Sequence, residues 1–276
     1  MRRLMPVTEC VCATAGGVID MHEMRAVYTL WLREIKRFYR EKTRIIGMVM
    51  QPLLFLFLIG TGLSASLMEG EFDYVRFMYP GIICMTLLFT SVFSGLSVVR
   101  DREFGFLKEV MVAPITRTSI ALGKTFGGSS VALLGGMILL FLSPLVGVTL
   151  SAGILLQLIP MMFLIAFAMT SMGILIAVPM ESMEGFPMIM NFLIMPMFFL
   201  SGAIFPMENL PGWMSVLMRV NPLAYAVDSL RNIIYAGEGP VMMTAYSLPY
   251  NIAVLVIFAA VMNFLAVLAF NIKESN

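Results

Sequence analysis

The sequence predicts an all-α polytopic membrane protein with six transmembrane helices, and three observations carry that expectation. Hydrophobic residues make up 59% of the 276-residue chain and charged residues 13%, and the mean hydropathy is +0.91. That composition excludes an ordinary water-soluble domain and a disordered chain alike. Six stretches reach the length of about 20 mostly apolar residues that crosses a hydrocarbon core; they are 45–67, 77–99, 121–142, 152–178, 186–206 and 247–271. Finally, the 18 basic residues alternate in side: nine precede the first span, five fall in the 100–124 connector and one is Lys273, against Arg76, Arg219 and Arg231 in the other connectors. Basic connectors stay in the cytoplasm, so both termini are expected inside, in a multi-pass protein of the cell (inner or cytoplasmic) membrane. The net charge of +1 adds nothing, because placement and not sum carries the information.

Residues 1–23 are read as an N-terminal extension, non-native or disordered, with Met21 and Met24 as alternative starts. Arg2, Arg3 and Ala13-Thr14-Ala15 imitate a signal peptide, but Pro6 and Glu9 interrupt its apolar stretch. Cleavage there would also leave the basic residues from Arg25 to Arg44 outside, against the charge rule. Cys10 and Cys12 form a bare C-x-C, and Cys84 lies in a span, so no disulfide framework is implied. Residues 24–44 form an amphipathic helix with Val27, Leu30, Trp31, Ile35 and Phe38 on one face and Arg33, Lys36, Arg37 and Arg40 mostly elsewhere. Such a helix is expected in the headgroup layer, its aromatics inserted and its cations facing anionic lipid. Residues 45–272 form the transmembrane domain. One connector, with Glu181 and Glu184, is cytoplasmic yet acidic, and acidic residues weigh little in the charge rule.

Between the second and third spans lies a charged island, 102–125, that ends in Gly123-Lys124-Thr125. A phosphate-cradling loop needs G-x-x-x-x-G-K-[ST]. The position of its first glycine is Thr118, and an apolar stretch of helix length starts at the lysine, so this is not read as a nucleotide site. Residues 103–112 read instead as a short amphipathic helix. Phe104, Leu107 and Met111 share a face, Lys108 and Glu109 are free for polar contacts, and Pro114 ends it. Taken alone, the pattern fits a docking helix or a solvated loop that only sets topology.

The third span carries Gly128, Ala132 and Gly136 at intervals of four, which lets another helix approach closely. Between the fifth and sixth spans, MENLPGWMSVLMRVNPLAYAVDSLRNIIYAG is too charged to cross and too patterned for a loose loop. Asn221 caps a helix with Pro222 at its first position, Leu223, Val227, Leu230 and Ile234 line one face, and Gly237 supplies the stop. Asn209 and Pro211 start a shorter helix in the same way. Both are expected on the outer surface, with Asp228 and Arg231 paired across i and i+3.

With Lys124 assigned to the connector, none of the six spans contains Asp, Glu, Lys, Arg or His, the residues on which gradient-driven carriers depend. Their polar residues are Gln51, Gln157, Asn191, Asn251, Asn263 and assorted Ser and Thr, suited to hydrogen bonds between helices. His22 is the single histidine, which argues against a His-based metal site or catalytic triad in the membrane. The chain is therefore not expected to be an enzyme, and uphill transport would draw its energy from another subunit. The 27 methionines, many between Met180 and Met218, either fill space or give a surface that repacks around varied apolar ligands.

The order of parts is a basic interfacial helix, two spans, a charged island, three spans, two outer helices and a last span. To it belong the segments Glu103-Phe-Gly-Phe-Leu-Lys-Glu-Val-Met-Val-Ala-Pro114-Ile-Thr-Arg117, Leu122-Gly-Lys124, Leu200-Ser-Gly202-Ala-Ile-Phe-Pro206, Leu210-Pro211 and Asn221-Pro222-Leu-Ala-Tyr225. Together these resemble the permease subunit of ATP-binding cassette exporters of the second type, from about Met24 to Lys273. The resemblance is greatest to the daunorubicin-resistance type of drug exporter permease, with nodulation-factor and polysaccharide exporter permeases close behind. It implies export of a lipophilic or amphipathic solute: drug-like, lipid or lipid-linked glycan. It also implies a second copy of the permease and two cytoplasmic ATPase subunits that hold ATP and Mg, with no cofactor on this chain. Membrane lipids are the other expected partners; nucleic acid is not. The docking residues would be Glu103, Phe104, Gly105, Leu107, Lys108, Glu109, Pro114 and Arg117. Pro211, Asn221, Pro222, Tyr225, Asp228 and Arg231 would belong to a re-entrant outer pair. Two readings compete: a membrane assembly or lipid-organising protein without transport, and a secondary carrier, which the charge-free spans disfavour.

Overall fold

The computed structural model describes residues 21–66, 74–106, 115–180, 182–205, 211–236 and 244–273. Among them every regular element is helical. In chain order these are α1 (Met21–Arg40), α2 (Lys42–Ser66), α3 (Tyr74–Ser94), α4 (Leu96–Glu103), α5 (Arg117–Phe141), α6 (Ala152–Ala177), α7 (Gly185–Phe199), α8 (Gly212–Val220), α9 (Pro222–Ile234) and α10 (Leu248–Lys273). A single 3-10 turn, Ser143–Val146, leads from α5 toward α6.

Five helical stretches among the described residues are long and apolar enough to cross a membrane: Ile45–Gly62, Tyr74–Glu103, Arg117–Phe141, Ala152–Ala177 and Leu248–Ile272. The sixth expected span, 186–206, is represented by the 15 residues of α7. At 1.5 Å per residue α7 spans about 22 Å, short of a core of about 30 Å. It ends at Phe199 with Leu200 as its C-cap, and Gly202 then takes a left-handed conformation at φ 74°.

Helix α3 forms the centre, buried along nearly its whole length against α2, α5, α6 and α9. Helices α2 and α10 lie at the periphery and present broad apolar faces outward. Between α3 and α4 the chain breaks at Gly95, where it crosses Gly173 of α6. A Cβ on Gly95 would sit 2.5 Å from the Gly173 carbonyl oxygen, and one on Gly173 would sit 2.6 Å from that of Val92. Such backbone-to-backbone contact is open only to glycine.

Three expectations need correction. The apolar face of α1 does not enter lipid but packs along α5: Leu30 lies over Gly123, Glu34 over Gly127, and Trp31 Nε1 donates to Ser130 Oγ at 2.9 Å. Tyr28 and Tyr39 remain exposed on the other side. Lys124 belongs to no connector; it is the eighth residue of α5, buried, so that a span does carry a charge. Finally, α9 is not on the surface. It is buried almost throughout against α3, α6 and α10, while α8 alone keeps an exposed face with Trp213, Val216 and Leu217.

Candidate coupling site at the base of the bundle

The island joins α4 to α5, and both of its flanks are held by buried charge. Asp101, near the end of α4, accepts a hydrogen bond from Lys124 Nζ of α5 at 2.5 Å and pairs on its other oxygen with Arg33 of α1. The Lys124 ammonium also reaches Ser97 Oγ at 3.3 Å and lies 3.8 Å from Glu34 of α1. Side-chain exposure is 3% for Lys124 and 6% for Asp101, so these charges are satisfied by one another rather than by water. Gly123-Lys124-Thr125 is thus a piece of helix: Gly123 makes room for Leu30, and Thr125 Oγ1 donates to its own helix at Ala121 O.

Two further ties reach other helices. Arg102 donates to the carbonyls of Val178 and Met180 just past the end of α6, the latter at 2.8 Å. Arg117, the first residue of α5, donates to Phe270 O of α10 at 2.8 Å. The start of α5 is capped by Thr116, whose Oγ1 accepts from Ser119 N. Glu23 of α1 closes over this cap, accepting from Thr116 N at 3.0 Å, Thr116 Oγ1 at 2.8 Å and Ser119 Oγ. Partial burial raises the Glu23 pKa, but these donors outweigh it and hold the carboxyl below its ordinary value.

Of the residues expected in the island helix, Glu103 ends α4 instead, Phe104 is its C-cap, and Gly105 is left-handed at φ 75°. The predicted helix over 103–112 is therefore interrupted at its third residue. Phe104 is 73% exposed, and the ring of Phe106 lies 4.0 Å under the Arg33 guanidinium. Leu107, Lys108, Glu109 and Pro114 lie outside the described residues. Sequence reasoning misses Glu23, Arg33, Glu34 and Asp101. The legible signal is Lys124 within an apolar run, which requires a buried anion from another helix.

On the opposite end, Asn221 accepts from Leu223 N at 3.0 Å as the cap of α9, and its Nδ2 donates to Met197 O and Leu200 O at 2.6 and 2.8 Å. Pro222 takes the first helical position and Pro211 precedes α8. Asp228 and Arg231, 0% and 1% exposed, lie inside the bundle and not on the expected outer surface. Asp228 instead accepts from Ala245 N at 2.8 Å, Tyr246 N at 3.0 Å and Asn251 Nδ2 at 2.7 Å, fastening the segment before α10. Arg231 donates to Gly202 O at 3.1 Å and stacks on Phe77. Tyr225 OH donates to Arg219 O at 2.7 Å, linking α9 to α8.

Gly128, Ala132 and Gly136 form the seam of α5 with its own bundle: a Cβ at Gly128 would strike Ser94 and Thr170, and one at Gly136 the tip of Met162. Asn263 Nδ2 bridges Thr125 and Ser171 at 3.4 Å, a hydrogen-bonded contact among α10, α5 and α6. Between α2 and α3 lies a cavity of about 210 Å³ whose walls include Gln51, Met85, Thr90, Phe89 and Phe93. Among the described residues no cluster of His, Cys, Asp and Glu could hold a metal ion.

The pattern of a family described as "ABC-2 type transporter" matches residues 25–235. Similar proteins include Nodulation protein J of Rhizobium meliloti (strain 1021), 29% identical over 194 residues that cover 68% of this chain and 73% of the relative. The daunorubicin resistance ABC transporter permease protein DrrB1 of Streptomyces coeruleorubidus is 24% identical over 216 residues, 76% of this chain and 75% of the relative. Nodulation protein J of Sinorhizobium fredii (strain NBRC 101917 / NGR234) is 27% identical over 228 residues, 81% of this chain and 84% of the relative.

Proposed function

The chain belongs to the ABC-2 type transporter family and is a membrane permease of that kind, and from this premise we propose that it exports a lipophilic or amphipathic solute on ATP hydrolysed by a separate cytoplasmic subunit. Two copies of the permease and two of the ATPase make up the working unit, with ATP and Mg on the ATPase and both permease termini in the cytoplasm. That orientation rests on fourteen basic residues on one side against three on the other, Lys124 being counted with its span. It sets the island, with Arg102 and Arg117 at its flanks, on the cytoplasmic side. The mostly apolar cavity between α2 and α3 supports a lipophilic solute, and one relative carries daunorubicin resistance in its name.

The observation that carries the proposal is the set of ties at the island's flanks. A push on the island moves α4 and α5 directly, α1 through Asp101 and Lys124, α6 through Arg102 and α10 through Arg117. Connections from the two flanks of one connector to five helices are what a coupling element requires. Phe104, exposed at that point, is the apolar anchor for the partner. The test purifies the chain with and without an ATP-binding cassette ATPase and measures substrate-stimulated hydrolysis. Phe104→Ala is expected to lose about 2 kcal/mol of docking energy and to reduce ATPase co-purification without lowering the permease's melting temperature. Undiminished co-purification and export would remove Phe104 from the interface.

A further inference from the structure

A cleft of about 720 Å³ opens between α1 and the end of α4, close beside the Asp101–Lys124 pair. Its cations are Arg33, Lys36, Arg37 and Arg40 from α1 and Arg100 from α4; its carboxylates are Glu41 and Asp101. Five positive groups face two negative ones, and both carboxylates are already shared. Asp101 serves Arg33 and Lys124, while Glu41 accepts from Arg37 Nε at 3.1 Å and lies 3.8 Å from Arg100. Lys36 and Arg40 have no carboxylate partner among the described residues. Two guanidinium nitrogens, Arg33 Nη1 and Arg100 Nε, are buried from water without a hydrogen-bond acceptor. Closed to water, these two donors are closed to a ligand too, so the charge open to one is that of the exposed Lys36 and Arg40, and a phosphate, with several charged oxygens, suits a cleft lined by such cations.

The surroundings indicate the source of that phosphate. Glu41 stands at the foot of α2, and six residues further on, about 9 Å along the helix, Gly47 begins an apolar groove of about 560 Å³ that includes Met50, Leu54, Phe55 and Leu58. Apart from its own turn of helix, nothing lies within 4 Å of where a Gly47 Cβ would be, so the head of the groove is open. A basic cleft at the boundary of the bundle, continued by an apolar groove on an outward-facing helix, matches an amphiphile with an anionic head and an extended tail. The geometry points to a binding site for one anionic phospholipid of the inner leaflet, its phosphate between α1 and α4 and an acyl chain along α2. This site is independent of which solute the permease moves, and lipid binding is read without transport.

Native mass spectrometry of the full chain in detergent tests it, with phosphatidylglycerol or phosphatidylcholine of identical acyl chains as the probe. Phosphatidylglycerol is expected to bind at least about tenfold more tightly, with about fivefold lost in each of Lys36→Gln and Arg40→Gln, from the usual contribution of one cation near an anionic surface. Both side chains are exposed, so the variants keep the fold, and Arg219→Gln on the exposed face of α8 leaves the preference unchanged. Equal affinity for the two lipids, or full preference in both variants, overturns the proposal. Competition by soluble glycerophosphoglycerol at the same concentration as the lipid would assign the cleft to a free phosphate and overturn the lipid assignment. Loss of ATPase co-purification in variants whose lipid preference is intact would make the cleft a protein docking surface and would overturn it equally.

Discussion

Replacing Asp101 by Asn removes the one carboxylate that the buried Lys124 and the half-buried Arg33 share. Lys124 is 3% exposed and Arg33 30%, so the lysine bears most of the loss. Removing one partner of a buried ion pair costs about 3–5 kcal/mol, because the remaining charge stays in a poor solvent. Glu34, 3.8 Å from Lys124 Nζ, offsets part of this and brings the expected cost to about 3 kcal/mol. The reverse change, Lys124→Met, leaves Asp101 with Arg33 and a side chain of similar volume, and is expected to cost about 1–2 kcal/mol. The double variant should therefore be more stable than Asp101→Asn alone, since no uncompensated ammonium remains. Thermal unfolding of the purified permease in detergent reads all three, and hydrolysis per solute exported in the complex reads coupling, which should fall most in Asp101→Asn. Equal destabilisation by the two single changes, or a double variant equal to their sum, would refute the reasoning, since independent sites add and this network must not.

The crossing of Gly95 and Gly173 predicts that Ala at either position costs about 1–3 kcal/mol, because the atom it strikes is a backbone carbonyl that cannot turn aside; Gly47→Ala, with nothing within 4 Å, should leave the melting temperature unchanged. Asn221→Ala loses a cap worth about 1 kcal/mol and both Nδ2 bonds to the end of α7, so limited proteolysis should cut the outer segment faster, whereas Asn221→Asp keeps the cap and loses only those donors. The lowered pKa of Glu23 means that its contribution is complete above the unfolded value, 4.5, and disappears as pH falls through the lower folded value. The protection factors at Thr116 and Ser119, exchange corrected for its intrinsic pH dependence, should thus be high at neutral pH and fall only in acid, and Glu23→Gln should show lower protection with no such pH dependence.

Helix positions are legible in the sequence because a run of apolar residues bounded by charge has few alternatives in a membrane. The cap of α9 is legible because Asn221-Pro222 acts within one turn. Hydropathy fails where the decisive partner lies on another helix. Lys124 reads as the edge of a connector until Asp101, 23 residues earlier, is brought to within 2.5 Å by the pairing of α4 with α5. Asp228 and Arg231 obey the i, i+3 spacing of a surface pair, but α9 is enclosed on several sides, and each side chain turns to backbone groups of a different segment. Gly105 reads as part of a helix because local pattern does not reveal that α4 runs through to Glu103 and needs a left-handed residue to end. The amphipathicity of α1 is plain from its residues and the partner of its apolar face is not, since lipid and α5 are equally apolar to a helix face.

The central claim is that this chain moves a solute only when a separate ATPase drives it. The measurement that tests it most directly is the passage of a fluorescent lipophilic amphiphile across proteoliposomes containing the permease alone, or the permease with an ATP-binding cassette ATPase. Passage should require both subunits and ATP, and should cease with an ATPase variant that binds ATP without hydrolysing it. Passage by the permease alone, driven by a proton or sodium gradient, would contradict the account and make the chain a secondary carrier.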